Sequence, residues 1–343
     1  MKHFVFVALA SAVLLAGCSK GDSHLPRAID KEAAVHIDSV FQSVPLSGSV
    51  NEIHSLMVIQ EGKVIYERYS PGQEPDYYHI LWSATKSYTS IAVGFAVQEG
   101  LLSVDDKVRS FFTEDEVPAY ADSLQNAWLD KMTIKDLLMM SSGLQKDYLA
   151  AVGAGILPDP VRSIFEAGIL FEPGYRFSYN SMNSHILSVI LTKVTGMTEE
   201  EYLTPRFFKP LGINRHIWET ATDGCNKGGW GLHITTESFA KTGLFLLQNG
   251  CWDGKQLLSS DWVAESTASH IDSSINHKDP DWAAGYCYQY WRNHIPGSYR
   301  LDGAWGQFCV VIPDKNAVIA CNCHTWGTTP LLDAIWQYVY PNI

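Results

Sequence analysis

Positive charge and long apolar runs are both scarce in this sequence. Lysine and arginine total 25 against 37 aspartates and glutamates, a formal net charge of -12. That balance argues against a nucleic-acid partner and against an anionic-membrane surface. The apolar run at the N-terminus, Phe4 to Ala16, is too short to span a bilayer as a mature helix. No C-x-x-C pair and no H-E-x-x-H helix is present, so a metal site is unsupported. The histidines, His54, His185 and His233 among them, are expected to be structural. No repeat, low-complexity tract or internal linker divides the chain.

What is there begins with that N-terminal run. Lys2 precedes it and Leu15-Ala16-Gly17-Cys18 ends it, the anatomy of a secretion signal. The ending resembles the lipobox of bacterial lipoproteins, in which cleavage leaves the cysteine as a lipid-carrying N-terminus. The expectation is a signal peptide over 1–17, lipidation at Cys18, a polar tether over 18–24 and one folded unit over 25–343, held at the membrane of a bacterial cell envelope, periplasmic or surface-exposed. An unmodified cysteine after an ordinary signal peptide is the alternative. Beyond Cys18 six cysteines remain, from Cys225 to Cys323, and their spacing fits disulfides and buried free thiols about equally.

Arg27 to Val44 reads as an amphipathic helix. Ile53 to Gln60 and Lys63 to Tyr69, joined at Glu61-Gly62, alternate as a β-hairpin does. From there to residue 265 the chain reads as helix and loop, including Thr133 to Met140 and Asn183 to Thr195. Strands return at Ala284 to Arg292, Trp305 to Ile312 and Ala317 to Cys323, and Pro330 to Tyr340 closes the chain as a helix. This order predicts an α+β fold: one antiparallel sheet built from both termini and flanked by helices, with an inserted, mainly helical subdomain. A cleft between the two parts is the expected place for a site.

The stretch the rest is organised around is Trp82-Ser83-Ala84-Thr85-Lys86-Ser87. An aromatic segment, Tyr77 to Trp82, leads into it and an apolar helical segment, Thr89 to Gln98, leads out. Ser83 then sits at a helix N-terminus, where free N–H groups favour developing negative charge, with Lys86 on the same face. A serine hydroxyl is a weak nucleophile until a base takes its proton, and a desolvated lysine is such a base. The spacing alone is weak, because Ser238-Phe239-Ala240-Lys241 repeats it inside an ordinary amphipathic helix. Two further stretches support it. Glu172 to Ser181 is a turn that delivers Tyr179 just before a long apolar helix, and a tyrosine beside a cationic lysine has its phenolate favoured. Leu301-Asp302-Gly303-Ala304-Trp305-Gly306-Gln307 places glycines at the start of a strand, where a backbone N–H can serve an oxyanion. Asp147, after a flexible loop, is expected to be solvated.

Taken together these stretches resemble the serine β-lactamase and penicillin-binding-protein superfamily, and within it the branch of class C-type esterases and 6-aminohexanoate-dimer hydrolases. Ser83-Ala84-Thr85-Lys86 matches the first box, Leu137-Leu138-Met139-Met140-Ser141-Ser142-Gly143-Leu144 is similar to the L-L-x-M-x-S-G-L signature, Tyr179-Asn180-Ser181 stands in the Y-x-N place, and Leu301-Asp302-Gly303 stands in the K-T-G place. The resemblance implies catalysis by Ser83, Lys86 and Tyr179, an oxyanion held by the N–H groups of Ser83 and Ala304, and substrate contacts from Ser181, Gly303, Trp305, Trp230 and Tyr148, although Trp82, Trp230, Trp305 and Tyr148 also fit as packing residues. It implies no metal or organic cofactor, and a small-molecule amide or ester as partner. Two departures bear on substrate. Ser181 replaces asparagine, and Leu301 replaces the lysine that pairs with a β-lactam carboxylate. The reading is therefore an amide- or ester-cleaving serine hydrolase, for which Lys86 must be largely neutral. A β-lactamase or D-alanyl carboxypeptidase is the rival enzyme, and a non-catalytic envelope lipoprotein the rival of another class.

Overall fold

The computed structural model describes residues 21–44, 52–117, 119–325 and 327–343. The signal segment, Cys18 and the first residues of the expected tether lie outside them.

The expected first helix is two. Lys31–Ile37 (α1) is capped by Asp30, whose side chain accepts from the N–H groups of Glu32 and Ala33, and Val40–Ser43 (α2) follows. Arg27 is not helical but forms a bridge to Val64, and Asp38, at the break, accepts from Tyr66 and Arg68. The hairpin is as read: Glu52–Gln60 (β1) and Lys63–Tyr69 (β2), turned by Glu61 and Gly62 at φ 50° and 76°, the left-handed pair that a two-residue hairpin turn requires.

A short strand, His79–Ile80 (β3), leads through a 3-10 turn at Trp82–Ala84 into Thr85–Gln98 (α3). The helical insertion comprises Ser123–Lys131 (α4), Ile134–Leu138 (α5), Leu149–Gly153 (α6), Pro160–Glu166 (α7), Ser181–Thr195 (α8) and Glu199–Leu203 (α9). Ile217–Trp218 (β4) and Leu232–Ile234 (β5) join β3 in a small sheet ordered β3-β5-β4, which the sequence pattern did not reveal. Thr236–Leu247 (α10) then packs on the main sheet, and a two-strand ribbon, Cys251–Trp252 (β6) with Lys255–Gln256 (β7), leads to Ser260–Thr267 (α11) and Pro280–Ala283 (α12).

Trp291–Arg292 (β8), Tyr299–Gly303 (β9), Gln307–Ile312 (β10) and Ala317–His324 (β11) complete a six-stranded antiparallel sheet, ordered β2-β1-β11-β10-β9-β8. Two boundaries differ from expectation. The strand expected over Ala284 to Arg292 shrinks to two residues, because Gln289 takes a left-handed φ of 70° and its amide is committed to Leu137 and Leu138. Gly303 ends a strand rather than starting one, and left-handed Trp305 and Gly306 turn the chain into β10.

Both faces of the sheet are covered, which is why β10 and β11 read as continuous apolar runs. Val310, Ile312, Ile319 and Cys321 meet α1, α2 and the closing helix Thr328–Ala334 (α13). Cys309, Val311, Val318 and Ala320 face α10 and α3 in the larger core. The helical insertion packs against the far side of α3 through α8. The start of α3, the expected place for a site, therefore lies between the end of β9 and the start of α8. All six described cysteines are free. Among the described residues no helix is long and apolar enough to cross a membrane.

The segment expected as the end of a tether is bound to the domain. Asp22 accepts from the N–H groups of Asn214 and Arg215 at 2.7 and 2.9 Å, and Glu237 receives His24 and both terminal nitrogens of Arg27 at 2.8 Å. The second S-x-x-K belongs to this strap. Lys241 reaches the Ser23 carbonyl at 2.6 Å, while the Ser238 hydroxyl turns to Asp22 at 3.2 Å, so the pair is buried and structural.

Candidate active site

Ser83 owes its position to a backbone that bends where a bulky residue resists bending. Trp82 has φ 46°, a strained value for a non-glycine residue. It swings the chain from β3 into the 3-10 turn, leaving Ser83 at the mouth of α3. The turn is held from two sides: the Leu81 N–H donates to the Leu232 carbonyl at 2.8 Å, and Gly303 packs directly on the Leu81 carbonyl. A Cβ at 303 would run into that oxygen, so glycine is required for the end of β9 to lie against the Trp82–Ala84 turn.

Lys86 is one turn into α3 and 1% exposed. Its Nζ donates to Ser83 Oγ at 3.1 Å, to Ser181 Oγ at 3.3 Å and to the Gly229 carbonyl at 2.8 Å. Among the described residues it has no salt-bridge partner. Burial lowers its pKa to about 7, while the fields of Asp147 and Asp302 pull the other way. The amine is thus poised between charged and neutral forms at neutral pH, as the serine-base reading requires.

Tyr179 lies beside both Lys86 and Ser83, with its ring centroid 5.1 Å from Lys86 Nζ and its hydroxyl close enough to Ser83 for the serine to favour the ionised form slightly. Asn180, the N-cap of α8, fixes it from behind by accepting from the Met182 N–H at 2.9 Å and donating to the carbonyls of Leu144 and Lys146 at 3.1 and 3.2 Å. Its ring stacks on Trp291 with centroids 5.8 Å apart and meets Tyr286 edge-on at 6.2 Å. The expected phenolate is corrected here. Burial raises the Tyr179 pKa, and Asp302 and Asp147 raise it further, because a phenolate would face two carboxylates. Tyr179 is therefore a phenol, able to pass a proton on.

The parts that three residues play at the site were missed. Asp147 is exposed, as expected, and it also accepts from the Ser181 N–H at 2.9 Å and the Leu149 N–H at 2.9 Å, so it ties the second box to the loop before α6. Asp302 stands in the middle of the third box, and burial pushes it up to about 6 even with Arg300 Nε at 2.7 Å. Gln289 joins three helices beneath the site: its carbonyl accepts from Ser87 at 2.8 Å, its amide donates to Leu137 and Leu138, and its amide oxygen receives Ser184. Asp302 stood inside a recognised box, but the links of Asp147 to Ser181 and of Gln289 to Ser87, Leu137, Leu138 and Ser184 span 34 residues or more and left no local signal.

The remaining expected residues divide. Ser181 is beside Lys86, and Gly303 and Ala304 lie at the turn beside Leu81, Ala304 exposed and Gly303 buried. Trp305 edges against His324 at 4.7 Å and lines a cavity shared with Trp82. Tyr148 is half-buried at the start of α6. Trp230 is corrected to a packing residue: at 3% exposure it sits in the main core near His185, with ring centroids 6.2 Å apart. Leu301 is wholly buried in that core too, so its side chain does not face the cleft. Among the described residues no group of histidines, cysteines and carboxylates is arranged to hold a metal.

A sequence model of the Beta-lactamase family matches residues 54–340. An uncharacterized protein of Alkalihalophilus pseudofirmus is 23% identical over 338 residues, covering 88% of this chain and 93% of that protein. The fold is similar to that of a Bacillus anthracis protein proposed to be a 6-aminohexanoate-dimer hydrolase, with a TM-score of 0.75, 20% identity and coverage of 94% of this chain and 87% of the other. It is also similar to a D-stereospecific amidohydrolase from Streptomyces sp., with a TM-score of 0.66, 15% identity and coverage of 91% and 99%.

Proposed function

This chain belongs to the Beta-lactamase family, and from that premise we propose that it is a serine hydrolase cleaving an amide or ester bond through an acyl-enzyme on Ser83. One observation carries the reading. Ser83 Oγ accepts from a buried lysine amine 3.1 Å away, with a pKa of about 7, and the ring of Tyr179 lies 5.1 Å from that amine.

In the proposed reaction Ser83 Oγ attacks the scissile carbonyl carbon and its proton passes to neutral Lys86. The carbonyl oxygen becomes an oxyanion, received by the N–H groups of Ser83 and Ala304. Tyr179 gives its phenolic proton to the departing nitrogen or oxygen and regains one from Lys86, so the leaving group exits neutral and the ester to Ser83 remains. Water then attacks that ester, surrendering a proton along the same route, and Ser83 is released.

The surroundings of the site support a substrate without a carboxylate to be paired. Leu301 lies in the core, and Arg300 is buried, held by Asp302, the carbonyls of Asp281 and Arg292, and Asn293. The charged side chains whose fields reach Lys86 are those of Asp147 and Asp302, which disfavour an anion. We further propose that Cys18 carries a lipid that holds the enzyme at the cell envelope.

A panel of p-nitrophenyl esters, aminohexanoate dimer and nitrocefin tests the function. Ester or amide turnover that Ser83→Ala abolishes, together with its fluorophosphonate labelling, is expected. Labelling that persists in Ser83→Ala, or silence on every substrate with no acyl-enzyme by mass spectrometry, would overturn it. Nitrocefin turnover would overturn the substrate class.

A further inference from the structure

A cavity of about 300 Å³ lies beside the nucleophile turn, and the proposed reaction does not use it. Its wall includes Trp82, the residue before Ser83, and Trp305, the residue after Ala304, with His54, His79, His324 and Ile80 between them. We propose that this cavity is the acyl subsite, taking a compact, uncharged aromatic group attached to the scissile carbonyl. The proposal rests on the hydrolase reading for its orientation and on the cavity itself for its chemistry.

Orientation follows from the proton route. The leaving group must face Tyr179, which protonates it, so the other substituent of the carbonyl points away from Tyr179. Neither Tyr179, Ser181, Lys86 nor Asp147 lines the cavity, whereas the neighbours of both proposed oxyanion donors do. A carbonyl oxygen held between Ser83 and Ala304 would sit next to this wall, and the proposal places its acyl side between Trp82 and Trp305.

The chemistry of the wall is ring-rich. The His54 and His79 rings lie 5.4 Å apart, and Trp305 meets His324 edge-on. Burial lowers the pKa of both inner imidazoles, that of His79 to about 4, so neither is charged at neutral pH. His79 is 8% exposed, and its Nε2 has no hydrogen-bond partner among the described residues. Stacked and edge-on ring contacts favour an aromatic guest, and a charged group would lose hydration here without a counter-charge. The volume is at the small end for ligand pockets, which suits one ring and a short linker.

Backbone strain gives a second, independent observation. Trp82 and Trp305 have φ of 46° and 67°, on two separate segments, and both indoles line this one cavity. Each holds a conformation that glycine would adopt more readily, so the fold tolerates strain at two points to put two large rings here.

Hydrolysis of p-nitrophenyl phenylacetate and p-nitrophenyl acetate tests the assignment, read as the ratio of their kcat/KM values. The wild type is expected to favour the phenylacetyl ester by about tenfold or more. Ile80→Trp, which fills the cavity, and His54→Ala, which removes one wall and keeps the test open if the first variant does not fold, should each cut that ratio about tenfold. A ratio within twofold of wild type in a folded variant overturns the subsite. Should Ser83→Ala retain ester turnover, the hydrolase reading fails separately, and calorimetric titration of that variant with phenylacetamide decides the cavity. Saturable binding that His54→Ala weakens supports it, and absent or unaltered binding overturns it.

Discussion

Lys86 Nζ stands between two oxygens with different demands: the Gly229 carbonyl at 2.8 Å accepts a hydrogen bond from either form of the amine, whereas Ser83 Oγ at 3.1 Å needs the neutral form as its base. Burial, which moves the pKa to about 7, decides between them. The rate should follow. We expect kcat/KM to rise with pH through about 7 as Lys86 loses its proton, and then to level off. Lys86→Met should remove this limb and lower kcat about a thousandfold or more. A flat profile in the wild type would show that another group is the base.

The same burial affects stability. In the unfolded chain Lys86 stays protonated up to the ordinary lysine value of 10.5, while the folded chain releases the proton near 7. Folding therefore carries the full cost of the buried charge below about pH 7, and the cost shrinks as pH climbs towards 10.5. Lys86→Met should be more stable than wild type at pH 6 by a few kcal/mol, roughly 1.4 kcal/mol for each pH step of the shift. Denaturant melts at pH 6 and pH 9 would show the gap narrowing.

Tyr179 separates chemistry from packing. Its ring keeps Trp291 and Tyr286 in place, while its hydroxyl serves Ser83. Tyr179→Phe should lower kcat by about two to four orders of magnitude with little change in unfolding free energy, because only the hydroxyl is lost. Equal activity in the variant would leave Lys86 as the whole proton route.

Gly303→Ala should act on catalysis through the backbone. The added methyl meets the Leu81 carbonyl, so β9 and the nucleophile turn must part. A loss in kcat/KM of about a hundredfold is expected from a displaced oxyanion donor, with KM for a poor substrate changing much less than kcat.

Leu301→Lys, which restores the family residue by sequence, should not restore carboxylate binding. The side chain is fully buried in the main core, so an ammonium there is unpaired and costs about 3–5 kcal/mol. Chemical denaturation measures the loss, and nitrocefin should remain unhydrolysed.

Ser83, Lys86 and Tyr179 were legible in the sequence because each sits in a short box whose local geometry is set by its own neighbours: a helix start, a capped loop. The sheet was legible for a similar reason, since strand alternation and the Glu61-Gly62 turn are local signals. Which S-x-x-K was the better candidate was not a local matter. Ser83-Lys86 and Ser238-Lys241 have the same spacing, and only packing put one lysine beside a serine hydroxyl and the other beside the Ser23 carbonyl.

The sequence by itself determined the fold class and the candidate trio, because periodicity, turn residues and box spacing act over a few residues. The tertiary structure decided the rest: the protonation of Lys86 and Tyr179, the core positions of Trp230 and Leu301, the grip of Asp147 and Gln289 on the site, and the ring-lined cavity beside Ser83. Each of these depends on desolvation or contact between residues far apart in the chain, and burial is a property no single stretch of sequence possesses.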